Sequence, residues 1–339
     1  MTNFKHFSSS VKARSVEVDV AKGVLTIGMV FAHVIQLLTL NPSKGLLRLS
    51  DVTNLVTFTG FLFCFGYAFW LAYLSRQVMP MANVFKTALK CYVAYVISGV
   101  AFCVMVSAIE FSPQLLFNVA TVMNVPGYSE FLLSFALYTV LVLVFRVPIL
   151  KMTQSPVALA LSVLMCLYVA WRPVAQEAHP LIGEFFGGHQ FAYFPIVPYG
   201  PIFLIGIYAA RHKVAVGAWL AAAGLVFYLL ITQGARLDLP ANRFPPSPIW
   251  VVSSLAIFLV YFWLAGLMVS WGVDWLVRYL CAVGRNVLFY LLMTNLIIFT
   301  CKRMGIMLAP SQAVWFAAGL LLFLFYLQWI MVDPKERAG

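Results

Sequence analysis

Residues 14–40, RSVEVDVAKGVLTIGMVFAHVIQLLTL, decide the fold. Past Asp19 and Lys22 the stretch stays apolar for the ~20 residues that an α-helix needs to cross ~30 Å of hydrocarbon. Similar stretches follow at 52–75, 91–109, 128–147, 155–172, 193–210, 214–232, 249–271, 281–301 and 311–332. They lack the alternation, over about 10 residues, of a membrane β-strand. Lipid offers the backbone no hydrogen-bonding partner, so each stretch must satisfy its own peptide groups, as a helix does. The expected fold is all-α, a polytopic integral membrane bundle of about ten transmembrane helices. Residues 1–18 form an N-terminal tail, 19–332 the embedded body and 333–339 a C-terminal tail. The first stretch follows a polar segment and has no small-residue cleavage site behind it, so it is expected to stay as a helix.

Composition agrees. The 339 residues are 63% hydrophobic and 10% charged, against about 25% charged in soluble domains. A single water-soluble core could not hide so much apolar surface. The net charge of +11 has no basic block on a soluble domain to carry it, which argues against nucleic acid as a partner. It reads instead as loop charge that orients the chain in the bilayer. With the N-terminus inside, 15 of the 22 Lys and Arg fall on the inner side, so the bias places both termini in the cytoplasm. The six cysteines lie in or beside apolar runs with no metal-like spacing. They read as small buried hydrophobes, and no metal site is expected. Segment 111–127, broken by Pro113 and Pro126, suits a re-entrant or interfacial element. The outer loops 173–192 (Glu177, His179, Glu184, His189) and 233–248 (Arg236, Asp238, Asn242, Arg243) are the polar surfaces open to an extracytoplasmic ligand.

The acidic residues lie at span ends or in loops, and of the five histidines only His33 lies well inside a span. An ionisable group at depth is costly and often functional. A neutral His33 bonded to a neighbouring carbonyl or hydroxyl would serve equally well as packing. Helical spacing puts Asp19, Lys22, Thr26, His33 and Gln36 in one polar stripe. Asp19 lies roughly 21 Å from His33 along the axis, too far for a direct dyad. The stripe suits either a path from the cytoplasmic edge into the bundle or a packed face with Asp19 and Lys22 paired.

Residues 14–33, with Arg14, then Asp19-x-x-Lys22-Gly23, then an apolar run closed by His33, resemble the opening signature of the membrane acyltransferase type 3 family. Related membrane acyltransferases of the heparan-α-glucosaminide N-acetyltransferase type open similarly. Further likenesses are FTGFLFCFGYAFWL (58–71) with Gly66 and Tyr67, FPIVPYGPIFLIGIYAAR (194–211) with its Leu-x-Gly ending, and VGRNVLFYLLMTNLI (283–297) with Gly284, Arg285, Asn286 and Tyr290. The chain departs from the family in two places. It has Lys86 and Lys90 after a lone Arg76 where paired arginines are usual, and Asn295 where the late helix commonly carries His.

The resemblance implies transfer of an acyl group, typically acetyl from acetyl-CoA, to a hydroxyl of an extracytoplasmic glycan or lipid-linked sugar. The setting would be a bacterial inner membrane, with acyl-CoA as substrate and no bound cofactor. His33 is then the candidate base or transient acyl carrier. Asp19 and Lys22 would orient the first-helix motif. Arg14, Arg76, Lys86, Lys90 and Arg285 are candidate partners of the polyanionic donor. Arg285 could also polarise the thioester carbonyl. Each of these cations suits lipid headgroups as well. Two other classes fit such a bundle: a transporter or flippase for a glycan, lipid or small solute, and a non-catalytic scaffold. The absence of mid-membrane carboxylates and of an inverted repeat counts against transport.

Overall fold

A computed structural model describes residues 14–172, 179–188, 194–234, 243 and 245–331. Among these the regular structure is helical, apart from an isolated bridge between Thr39 and Leu308. The helices are α1 (Val16–Leu38), α2 (Lys44–Phe69, continued by a π turn Trp70–Leu74), α3 (Met81–Met105), α4 (Pro113–Ala120) and α5 (Glu130–Val144). There follow α6 (Arg146–Met152), α7 (Pro156–Trp171), α8 (Pro180–Phe186), α9 (Ile196–His212) and α10 (Ala218–Leu229, continued by a π turn Leu230–Gly234). The last four are α11 (Pro248–Ser270), α12 (Asp274–Arg285), α13 (Val287–Arg303) and α14 (Pro310–Met331).

Local sequence explains where several helices start. Ser-Pro dipeptides open α4, α7 and α11: the hydroxyls of Ser112, Ser155 and Ser247 each accept from the backbone N–H three residues on, and the proline occupies the first turn. The serine satisfies one orphan donor, and proline lacks the N–H that would have been another. Ser15 caps α1 in the same way, with Glu17 and Asp19 in its first turn.

Each of the ten apolar stretches coincides, over its described residues, with helix, but these helices differ in length. Among the described residues five helices are long and apolar enough to cross a membrane: α1, α2 with its π turn, α3, α11 and α14. Two more spans result if each bent pair counts as one, α5 with α6 (95°) and α12 with α13 (77°). By length and composition the described helices thus supply five to seven candidate spans, against the about ten expected. The physical reason is length: α7, α9 and α10 have 16, 17 and 12 residues, below the ~20 that span the hydrocarbon without tilt or thinning. Segment 111–127 forms the short α4, which folds back on α3, where the Tyr95 hydroxyl donates to the Val119 and Asn124 carbonyls.

The bundle is organised around α1, which packs against α12, α2, α13, α14 and α11. In lipid there is no hydrophobic drive between helices, so close van der Waals approach must supply the attraction, and small residues permit it. Glycines meet backbone where α10 crosses α11, through Gly224 against the Ala256 carbonyl, and reciprocally at two further crossings. A Cβ on Gly23 would collide with the Leu280 carbonyl of α12, and one on Gly284 with the Asp19 carbonyl of α1. Gly66 of α2 and Gly206 of α9 bear the same reciprocal relation, to the Phe203 and Phe63 carbonyls. The glycines of the first-helix, second-span and late-helix motifs thus set helix separations. Residues such as Leu161, Trp219 and Leu322 point out of α7, α10 and α14 and are exposed, as lipid-facing side chains would be.

Candidate functional site

The polar residues of α1 divide between two cavities at opposite ends of the bundle. At the end where α1 begins, a cavity of about 240 Å³ is lined by Arg14, Asp19 and Lys22, by Tyr67, Leu71 and Tyr73 of α2, and by Arg285. The close glycine crossing of α1 on α12 brings Arg285 to Asp19. Its Nε donates to Asp19 Oδ2 at 3.2 Å, and Lys22 Nζ pairs with Asp19 Oδ1 at 2.8 Å. Asp19 thus bridges two cations. The cluster is net positive, and Arg14 beside it adds to a cavity suited to polyanions. Arg76, Lys86 and Lys90 do not line this cavity. The Arg76 carbonyl accepts from Arg146, Lys86 is exposed on the first turns of α3, and Lys90 lies in a separate groove.

The second cavity, also about 240 Å³, lies toward the other end. It takes His33 and Gln36 from α1, Asn54, Thr57 and Phe58 from α2, Tyr128 and Glu130 from the start of α5, and Phe194 and Arg243 from the approaches to α9 and α11. His33 belongs to the last third of α1, nearer the helix's end than its middle, and is 8% exposed. Its Nδ1 lies 3.0 Å from Asn295 Oδ1 on α13. The same amide donates through Nδ2 to Ser98 Oγ (3.0 Å) and to the Tyr128 carbonyl (2.9 Å). A carbonyl can only accept, so Asn295 must turn its nitrogen to Tyr128 and its oxygen to His33. The proton of a neutral His33 therefore sits on Nδ1, and Nε2 keeps its lone pair. The Tyr128 ring meets the imidazole edge-on at 4.8 Å, and its hydroxyl donates to Gln36, which in turn donates to Ser50. The ring is thus held from two sides.

Glu130 lines this cavity and is buried, with Oε2 lacking a hydrogen-bond partner. Behind it lies Glu184 of α8. The sequence placed Glu184 on an outer polar surface, but it is wholly buried, because α8 tucks in against α9. Ser134 Oγ lies 3.0 Å from Glu184 Oε1, 2.9 Å from the Phe194 carbonyl and 3.3 Å from the Glu130 carbonyl. One hydroxyl proton cannot serve three acceptors, so the arrangement calls for a protonated Glu184 that donates to Ser134. Burial agrees, pushing this carboxyl well above the usual carboxylate range, with Glu130 adding to the shift. His179 caps α8 by accepting from the Leu181 N–H. Glu177, His189, Arg236, Asp238 and Asn242 lie outside the described residues.

The two cavities do not join. The deepest α1 residue of the first is Lys22 and of the second Met29, roughly 10 Å apart along the axis. Between them Leu25 packs against Gly60 and Phe258, with Phe63 and Cys64 beside them, all buried. Thr26, expected in a continuous polar path, turns its hydroxyl to the Lys22 carbonyl instead.

Residues 14–236 match the family model for the heparan-alpha-glucosaminide N-acetyltransferase catalytic domain. The matched region begins at Arg14 and runs past α10, taking in both cavities' α1 and α2 walls. Arg285 and Asn295 lie beyond it. No curated protein and no solved structure matches the chain.

Proposed function

This chain belongs to the heparan-alpha-glucosaminide N-acetyltransferase catalytic family, and from that premise we propose that it moves an acyl group, most simply acetyl, across the bilayer from acyl-CoA to an acceptor on the far side. Family membership and the long apolar helices make it a multi-pass membrane protein with an acetyltransferase-type function. Its first helix further allies it with the type 3 membrane acyltransferases. On this reading α7, α9 and α10 also cross, giving ten spans with both termini in the cytoplasm of a bacterial cell.

The observation that carries the proposal is the Asn295-fixed tautomer of His33 facing a polar, aromatic cavity. A hydroxyl nucleophile needs a base with a free lone pair at the reacting centre, and Nε2 supplies it. The same atom can accept the acyl group and pass it on. In the carrier form the sequence balances. Nε2 attacks the thioester carbonyl, the C–S bond breaks and CoA leaves as thiolate. The acceptor oxygen then takes the acyl group, and its proton goes to Nε2. The cavity around Arg14, Lys22 and Arg285 suits the phosphates of the donor. The cavity around His33 offers aromatic faces (Phe58, Tyr128, Phe194) and polar edges (Gln36, Asn54, Thr57, Glu130) to a sugar bearing the acceptor hydroxyl. The donor's long thioester arm would have to pass the Leu25–Phe258 layer to meet His33.

The test is purified full-length protein in nanodiscs with radiolabelled acetyl-CoA and a panel of hydroxyl and amino sugars. Release of CoA that depends on acceptor, and its loss in folded His33→Ala, is the expected result. An active His33→Ala enzyme would sink the assignment. Acetylation of amino sugars alone would replace the hydroxyl acceptor with an amine.

A further inference from the structure

Lys90, one of the expected donor partners, instead stands at the mouth of a groove that neither cavity uses. The groove runs between α3 and α13. It exists for two reasons. The chain bends by 77° between α12 and α13, which swings α13 out from the end of α12. In addition, α3 presents the small Ala94 as a floor. Its walls are Val93, Ile97, Leu288, Phe289 and Leu292, and its volume is about 590 Å³. Through Ile97 it continues along the same two helices into a second apolar stretch of about 430 Å³ that reaches Met105. From Lys90 to Met105 the groove follows α3 for roughly 22 Å, most of the hydrocarbon depth.

Charge appears at one end only. Lys90 and Arg285 flank that end, and no carboxylate lines the groove. Arg285 uses Nε on Asp19, and its half-exposed guanidinium has further donors to offer. Asp19 is already balanced by Lys22, so the end of the groove is net positive. A long apolar slot with two cations at its head is complementary to a single kind of bilayer component, a lipid with an acyl chain and an anionic phosphate headgroup. We propose that this groove is a binding site for one anionic phospholipid, its phosphate held by Lys90 and Arg285 and an acyl chain lying along Val93, Ile97 and Leu292. The proposal does not depend on the acyl-transfer reading. It does place the lipid phosphate on Arg285, the side chain shared with the cavity around Asp19, so lipid and whatever fills that cavity would compete for one guanidinium.

Native mass spectrometry of delipidated full-length protein titrated with phosphatidylglycerol or phosphatidylcholine tests it. The wild type should bind one phosphatidylglycerol in clear preference to phosphatidylcholine. Reversing one basic headgroup contact, in Lys90→Glu, should weaken that binding by about thirtyfold. Ile97→Trp, at an exposed position inside the slot, should weaken it by obstructing the chain. Lys86→Glu, one turn earlier on the same helix and outside the groove, should bind as the wild type does. Equal binding of the two lipids would overturn the proposal. So would wild-type affinity in both Lys90→Glu and Ile97→Trp, or an equal loss in Lys86→Glu.

Discussion

Asn295 offers the sharpest test of how His33 is held. Truncation in Asn295→Ala removes three buried hydrogen bonds together, to His33 Nδ1, Ser98 Oγ and the Tyr128 carbonyl. At about 1 kcal/mol net for each bond, the loss of stability is about 3 kcal/mol. That is a sizeable part of a typical 5–15 kcal/mol, yet short of unfolding the bundle. The effect on rate should be larger in proportion. Without the amide oxygen the ring can carry its proton on Nε2, where it no longer serves as base or nucleophile, and it can swing away from the Tyr128 face. Misplacement of a catalytic group by about 1 Å costs about 10²-fold. Loss of an orienting partner that leaves the wrong tautomer costs up to about 10⁴-fold. The expected result is therefore a kcat lowered by between about 10² and 10⁴, with the acceptor KM little changed because Asn295 does not line the cavity. The measurement is steady-state CoA release by protein whose helicity and thermal midpoint are checked in the same preparation. A folded Asn295→Ala enzyme with a kcat within about threefold of wild type would refute the tautomer argument.

Three further outcomes follow from the same geometry. Gly284→Ala drives a methyl into the Asp19 carbonyl and should cost about 1–3 kcal/mol as overpacking, read as a lower thermal midpoint; an unchanged midpoint would show that the crossing has slack. Arg285→Ala should raise the acyl-CoA KM about fivefold, the worth of about 1 kcal/mol for a half-exposed charge contact, while Lys86→Ala leaves it unaltered; equal effects in the two variants would remove Arg285 from the donor cavity. For Glu184 the sign runs against stability at high pH. Its folded-state carboxyl holds its proton to higher pH than the unfolded chain does, so stability drains away as pH rises above the ordinary carboxylate range. Glu184→Gln keeps a donor toward Ser134, and should be more stable than wild type at about pH 8 and equal to it near about pH 4; parallel stability curves would show that Glu184 is ionised in the fold.

The membrane class and the importance of the first helix were legible in the sequence, because apolar run length and residue identity are local properties. Asp19, Lys22 and His33 do line the cavities, and Asp19 pairs with Lys22. Of the two readings of the polar stripe, the packed face with Asp19 and Lys22 paired accords with Thr26, whose hydroxyl satisfies itself on the preceding turn. Asn295 stood out only as a departure from a pattern. Its role rests on a contact across 262 residues, which no periodicity reveals. Glu184 reads as surface because a short helix that contains Gly183 and ends at Gly187 looks like loop; its burial follows from how α8 packs on α9. Apolar run length in the sequence does not show that α7, α9 and α10 form helices of only 16, 17 and 12 residues.

The layer formed by Leu25, Gly60 and Phe258 has an electrical consequence. In the proposed ten-span arrangement, two water-filled cavities on either side of this thin apolar layer would behave like the plates of a capacitor. A membrane voltage otherwise spread over ~30 Å of hydrocarbon is concentrated here across roughly 10 Å, which makes the local field about three times steeper. A neutral acyl group transferred as proposed would cross that field without doing electrical work. A proton or sodium ion would experience almost the whole potential, worth about 2.3 kcal/mol per 100 mV. In the proposed transfer, the packing of one leucine and one phenylalanine on one glycine would thus also be the insulation that holds back an ion while a neutral group passes.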